Sequence, residues 1–166
     1  MKHLLFAILL FWTVNNVYSQ SLPKYDEIKL ETREDFNDEA NNAALQASNY
    51  LLSTPMDSKS IDRLKSLQFI IKWMSGTPDF SFTLDQQATK FAKNNDDLLG
   101  LYMAAMTKYV LENKVESKNQ NKIKLNAVKL IILYSKDIKN NVKINKELKK
   151  AIEANENGKL EDYLII

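Results

Sequence analysis

Helix-breaking residues are few and widely spaced in this chain, and that spacing limits what it can fold into. Its 166 residues include three prolines and three glycines. The long intervals between them carry apolar residues at helical spacing rather than in alternation. The one alternating stretch, residues 79–83, is short and has no partner strand in the sequence. The pattern therefore predicts an all-α fold, either a compact bundle or a short stack of helical hairpins, with six to seven helices.

Capping residues and stop signals place the first two helices. A cap at Thr32 puts two acids into the following turn, where the helix dipole favours them, so a helix is expected to start there. It is expected to end before Pro55, which disfavours the helical conformation at Thr54. A second helix is expected to have Asp57 or Ser58 as its cap and to end just before Gly76, since a glycine just past an apolar run is a typical helix stop. Its expected inward face comprises Ile61, Leu64, Leu67, Ile70, Ile71 and Met74.

The same signals place the remaining helices. Thr83 and Gln86 have the spacing of a capping box, which predicts a third helix ending near Lys93. Asn94 or Asn95 is expected to start the next helix. The apolar residues of that fourth helix lie over 98–111, and the later helices, the last of which is a short helix or a docked tail, are expected over residues 120–137, 145–156 and 160–166.

Two of these helices carry the widest apolar coverage and are expected to form the core. Residues 98–111 are apolar nearly all round, which is typical of a helix buried on several sides. Residues 120–137 follow with a broad stripe, whereas the first and sixth helices have narrower ones. The expected inward residues of that broad stripe are Ile123, Ala127, Val128, Leu130, Ile131, Ile132, Leu133 and Tyr134.

The first nineteen residues have the layout of a secretory signal peptide. A positive start precedes an apolar run from Leu4 to Val14, and the small residue Ser19 precedes the expected cut. The run is shorter than the about 20 residues that a spanning helix needs, so no transmembrane anchor is expected after processing. The expected organisation is a signal peptide at 1–19, an extended arm at 20–30 and one all-helical domain at 31–166. The processed chain is expected in the periplasm or outside the cell.

The residue inventory excludes several chemistries. The chain has no cysteine, and its only histidine, His3, lies in the segment expected to be removed. Nucleophilic catalysis with an imidazole base and typical zinc or copper sites therefore have no residues to use. Asp57, Asp96 and Asp97 lack the spacing of a calcium loop. No catalytic residue, metal or cofactor is assigned.

The balance of basic residues indicates a source and excludes one partner. Lysine and asparagine are abundant, whereas Arg33 and Arg63 are the only arginines, which is typical of an AT-rich bacterial gene. Arginine makes the commonest specific contacts with bases. Its scarcity, together with the export signal, argues against a nucleic acid partner.

A set of lysines forms the first candidate binding surface. Ten lysines stand against two acids between Ser117 and Lys150. Lys122, Lys129 and Lys136, which we call the lysine face, are spaced by seven residues and so share one side of their helix. One interpretation is a site for an anionic partner. The alternative is a solvated helix side, balanced within the molecule by the acid-rich residues 26–39.

An aromatic segment forms the second candidate. Trp73, Asp79, Phe80 and Phe82 lie between two expected helices, and aromatics grouped on a loop can bind a sugar or a peptide. The alternative is that they cover the end of the helical core.

Two functions remain open from the sequence. The leading hypothesis is a small exported protein without catalysis, which acts in interaction or envelope maintenance with an unidentified envelope or periplasmic partner. The alternative is a glycan-cleaving hydrolase that works with carboxylates alone, for which Glu39, beside the apolar seam of the first helix, is the best candidate acid.

Overall fold

Asparagine side chains begin most of the helices. The computed structural model describes residues 21–166, where it contains six α-helices and no strand. Asn37, Asn95, Asn119 and Asn145 each accept a hydrogen bond from the first turn of a helix, and Ser60 does so for one more. The helices are α1 (Asp38–Ser53), α2 (Ile61–Gly76), α3 (Asp96–Glu112), α4 (Gln120–Lys136), α5 (Lys146–Glu156) and α6 (Leu160–Leu164).

The all-α prediction is therefore confirmed, and the helices pack against one another as a bundle. Short 3₁₀ turns stand between the helices or before the first of them, at residues 25–27, 33–35, 90–92, 114–116 and 138–140. The expected signal peptide, residues 1–19, and Gln20 after it lie outside the described residues. None of the helices between residues 21 and 166 combines the length and the apolarity that a membrane crossing requires.

The first two helices begin later than expected. Thr32 does act as a cap, but for a separate 3₁₀ turn, where it forms a capping box with Asp35. Helix α1 starts from Asn37, whose Oδ1 accepts from two backbone N–H groups. Helix α2 starts from Ser60 rather than from Asp57, whose carboxylate caps a turn instead.

The predicted third helix over residues 83–93 is wrong. The segment consists of turns and one 3₁₀ turn. Asp85 accepts from the N–H of Ala88 at 2.8 Å and is also bound by Lys124, which fixes the turn locally. Asn94 then takes a left-handed conformation, with φ of 60°, which separates this segment from α3.

Helix α3 lies at the centre of the bundle, as expected. Ten of its residues are buried, and it packs between α1 and α4 and also contacts α2. Helix α4 packs along α3, and α1, for which a narrower stripe is expected, packs along α3 as extensively as α4 does. Small side chains permit this close approach: Ala40, Ala43, Ala44 and Ala47 all face the core.

Two apolar faces differ from the expectation. Helix α2 buries Ser66, Phe69, Ile70 and Trp73. Part of its expected inward face is instead exposed to solvent. Its exposed aliphatic residues are Ile61 at 68%, Leu64 at 54% and Ile71 at 42%. Helix α4 buries its predicted stripe except for Leu130, which is half-buried, and Leu133, which is 69% exposed. In each of these two helices, the side that packs against neighbouring helices is narrower than the side that carries apolar residues.

The residues before α1 lie against α2. Tyr25 is buried, its ring centroid lies 4.8 Å from that of Phe69, and its hydroxyl is hydrogen-bonded to Ser66 at 3.2 Å. Leu30 is also buried. The segment expected as an extended arm is thus packed on the bundle from Tyr25 onward.

Candidate functional site

The lysine face lies on the solvent side of α4. Lys122, Lys129 and Lys136 are all exposed, and the opposite side of the helix buries Ile123 and Ala127 in the core. The seven-residue spacing brings the three ammonium groups to one side, as the sequence predicts. The fold thus leaves this surface accessible to a partner along the length of α4.

Two of the three lysines are paired with acids of the same chain. Lys122 pairs with Glu116, which also accepts a hydrogen bond from Tyr109 at 2.7 Å. The hydrogen bond from Lys122 and that from Tyr109 hold the pKa of Glu116 below its usual range. Lys136 Nζ lies 2.6 Å from Glu156 Oε1. Lys129 has no carboxylate within salt-bridge distance among residues 21–166.

The acids that pair with the lysine face come from its own neighbourhood. Glu116 lies in the 3₁₀ turn just before α4, and Glu156 lies at the end of α5. Neither belongs to the acid-rich residues 26–39, which the sequence offered as an internal counterweight. The acids that balance Lys122 and Lys136 are therefore Glu116 and Glu156, and Lys129, at the centre of the face, has no acid partner between residues 21 and 166.

Exposed aliphatic side chains accompany these lysines, and sequence reasoning missed them. Leu133 is 69% exposed and lies four residues after Lys129 and three before Lys136, which places it within the lysine face. Ile138, in the 3₁₀ turn that follows α4, is 90% exposed. The spacing of Leu133 from Lys129 and Lys136 is the sequence signal that places it on the lysine side of α4.

The aromatic candidates form a packed cluster. Trp73 lies in α2, is fully buried and donates its indole N–H to Asn41 Oδ1 at 3.0 Å. The rings of Phe80 and Phe82 are half-buried and cover it, at centroid distances of 5.5 and 5.9 Å. Asp79 is exposed on the loop that follows α2. Trp73 therefore has no surface left for a ligand, and the cluster has the geometry of a core cover.

Glu39 lies on the open surface at the first turn of α1. It is exposed and borders a shallow groove of about 230 Å³, together with Asp35 and Asn37. Backbone hydrogen bonds from Thr32 and Glu31 lower the pKa of Asp35. A glycan-cleaving acid instead needs a raised pKa in an enclosed site. Glu39 is exposed, and the groove beside it is open to solvent.

The grooves of the described surface are open and carry few reactive groups. One of about 440 Å³ is lined by Lys90, Lys93, Leu99 and neighbours in the 86–92 turn, with no acid in its walls. Another of about 100 Å³ lies between α2 and the start of α3, beside Arg63 and Asp97. No set of three or more His, Cys, Asp or Glu side chains between residues 21 and 166 is arranged to hold a metal ion.

The most enclosed ion pair joins distant segments. Lys124 Nζ lies 2.6 Å from Asp85 Oδ2 and also donates to the carbonyl of Leu164 at 3.2 Å. Burial raises the pKa of Asp85, but hydrogen bonds from Lys124 and from the Ala88 N–H outweigh it and hold the pKa below its usual range. Burial raises the pKa of Tyr102, whose hydroxyl has no partner within the described chain. These contacts fasten the 83–89 turn and α6 to α4, which is a structural role.

Of the two binding surfaces that the sequence predicts, the lysine face, with Leu133 within it and Ile138 just after it in sequence, is the one whose side chains are exposed in the described part of the chain. Cationic and aliphatic groups meet there on a helix whose other side is fixed in the core. Comparison with protein-family models, with curated proteins and with solved structures gives no match to this chain.

Proposed function

We propose that this chain is a small exported interaction protein of the bacterial envelope that acts without catalysis. Its binding surface is the lysine face of α4, and its partner is an anionic component of the envelope. The observation that carries the proposal is Lys129, a cation at the centre of an exposed helix side with no acid beside it among residues 21–166.

The energetics of surface lysines support a binding role. An exposed ion pair contributes about 0–1 kcal/mol to stability, so the fold gains little from Lys122 or Lys136. The packing of α4 in the core is made by buried residues such as Ile123 and Ala127 and does not involve these charged side chains. The lysines can therefore serve association, and their effect must weaken in salt because the Debye length falls from about 10 Å at 0.1 M to about 3 Å at 1 M.

Retention on the envelope fraction of the source cell tests this function. A variant with Lys122→Gln, Lys129→Gln and Lys136→Gln should keep the melting temperature of the wild type but lose retention at low salt. The wild type should show the same loss in 1 M salt. A matched control, Lys59→Gln with Lys72→Gln and Lys93→Gln, removes three exposed lysines elsewhere and should be retained as the wild type is. Equal retention of the two triple variants would contradict the proposal.

Export is tested separately. N-terminal sequencing of the protein released from envelopes should give a chain beginning at Gln20, because Ser19 precedes the expected cut. A protein that retains Met1, or one found in the cytoplasm alone, would contradict the exported part of the proposal and leave the binding part to its own test.

A further inference from the structure

Two exposed aliphatic residues, one among the lysines of α4 and one in the turn that follows them, restrict what the partner can be. Leu133 is 69% exposed between Lys129 and Lys136, and Ile138 is 90% exposed two residues after Lys136. Lys139, the next residue, is exposed as well. Exposure of these two large aliphatic side chains to water is unfavourable in the free protein. A partner that buries them gains the free energy of removing their apolar surface from water.

The shape of this surface favours a broad partner over a narrow one. Leu133 is exposed on the solvent side of α4, and the grooves described above are lined by other residues. A peptide partner that adds a strand or a helix needs an edge or a groove to receive it. A flat, deformable and anionic surface fits isolated aliphatic side chains that are flanked by lysines.

The local charges leave an excess of cations. Acids in contact with residues of this stretch are each engaged within the described chain: Glu116 pairs with Lys122, Glu156 pairs with Lys136, and the Asp137 carboxylate accepts the backbone N–H of Lys139 at 3.0 Å. Exposed lysines outnumber them along the same stretch of chain, namely Lys118, Lys122, Lys129, Lys136, Lys139 and Lys143. Lysine stems are long enough to place the ammonium groups at a headgroup layer while an aliphatic neighbour reaches deeper.

We infer that the partner of this surface is an anionic lipid bilayer, which the lysines attract and into whose headgroup–acyl boundary Leu133 and Ile138 insert. This inference rests on the proposed function, because it names the anionic component that the lysine face binds. Attachment of this kind is peripheral and reversible, since it combines electrostatic attraction with burial of a small apolar area.

Vesicle co-sedimentation tests the inference. The probe is the chain from Gln20, which contains the whole described fold and lacks the apolar run at 4–14. Vesicles of phosphatidylcholine alone should not bind it, whereas vesicles of phosphatidylcholine and phosphatidylglycerol in equal parts should. That binding should disappear in 1 M salt and in the triple lysine variant.

A pair of apolar variants separates insertion from charge attraction. Leu133→Ser with Ile138→Ser should lower the affinity for anionic vesicles about tenfold or more, because burial of a large aliphatic side chain contributes at least that factor. The matched control is Ile61→Ser with Leu64→Ser on α2, where both residues are also exposed, at 68% and 54%. The control should bind as the wild type does, and both variants should keep the wild-type melting temperature.

The outcomes distinguish this inference from the proposed function. Lysine-dependent retention on envelopes without binding to anionic vesicles would overturn the lipid inference and leave an anionic glycan or protein as the partner. Vesicle binding that Leu133→Ser with Ile138→Ser leaves unchanged would overturn insertion. Absence of both envelope retention and vesicle binding would contradict the inference and the proposed function together.

Discussion

The guanidinium of Arg63 closes the end of α1 by donating to Thr54. Its Nη1 lies 2.7 Å from Thr54 Oγ1 and 3.0 Å from the carbonyl oxygens of Thr54 and Leu51. The hydroxyl of Tyr134 donates to the same Thr54 carbonyl at 2.7 Å. One residue of α2 thus satisfies carbonyl groups that the end of a helix leaves free, and α4 is tied to the same point.

Replacing Arg63 with lysine should therefore destabilise the fold. All three contacts are made by Nη1, and a lysine side chain is one bond shorter and has a more strongly hydrated charge, so Arg63→Lys should cost about 1–3 kcal/mol of unfolding free energy. Urea denaturation measures this. Arg33→Lys, at an exposed position in a 3₁₀ turn, is the control and should change stability little. Equal effects of the two substitutions would show that the Arg63 contacts do not contribute to the free energy of unfolding.

Gly76 should not tolerate alanine, although it lies in a helix. A methyl group there would overlap the ring of Phe36, which packs over this last residue of α2. Alanine gains about 1 kcal/mol in helix propensity over glycine, whereas overpacking costs about 1–3 kcal/mol, so we expect a net loss in Gly76→Ala. The double variant with Phe36→Leu should be less destabilised than the two single losses add up to. Strict additivity in a double-mutant cycle would contradict the contact.

Acidification should weaken the bundle through Asp85. Its pKa is held below the usual value near 3.8, chiefly by Lys124 against the opposing effect of burial. A depressed pKa contributes stability that is fully present above the unfolded-state pKa and lost as pH falls through the folded-state value. The wild type should therefore lose more stability between pH 6 and about pH 3 than Asp85→Asn does. Urea midpoints at both pH values test this, and parallel losses in the two proteins would contradict it.

Ile165 should be improved by substitution. It has a left-handed conformation, with φ of 58°, at the end of α6, where glycine or asparagine is usual. A β-branched residue in that region costs about 1–2 kcal/mol, and at 76% exposure Ile165 loses little burial when it is replaced. Ile165→Asn should therefore raise the melting temperature, whereas Ile165→Val should not. A lower melting temperature for Ile165→Asn would contradict this account.

Local signals predicted the later helices well. Asn95, Asn119 and Asn145 stand directly before α3, α4 and α5, and each accepts the hydrogen bond that its residue type favours there. The prediction of a helix over residues 83–93 was wrong because the conformation of this segment depends on Lys124, which lies 39 residues from Asp85. A partner at that distance leaves no trace in the local pattern.

The candidate surface could be predicted in part. The spacing of Lys122, Lys129 and Lys136 was sufficient to place them on one exposed side of α4. The sequence did not reveal that Leu133 is exposed beside them. When apolar residues cover a broad side of a helix, the sequence does not show which of them lie at the edge of the buried side. Nor did it reveal the pairing with Glu156, which depends on how α5 packs beside α4.

The role of the lysine face as a binding surface is tested most directly by two substitutions of opposite expected effect. Lys136 is neutralised by Glu156 at 2.6 Å, whereas Lys129 is unpaired within residues 21–166. Lys129→Gln should weaken retention on envelope membranes about fivefold, since one lysine near an anionic surface contributes about 1 kcal/mol. Glu156→Gln frees Lys136 and should strengthen retention by a comparable factor. Glu34→Gln, which changes the net charge equally within the acid-rich residues 26–39, should leave retention unchanged. Retention that follows net charge alone, or that responds to neither Lys129→Gln nor Glu156→Gln, would contradict the account.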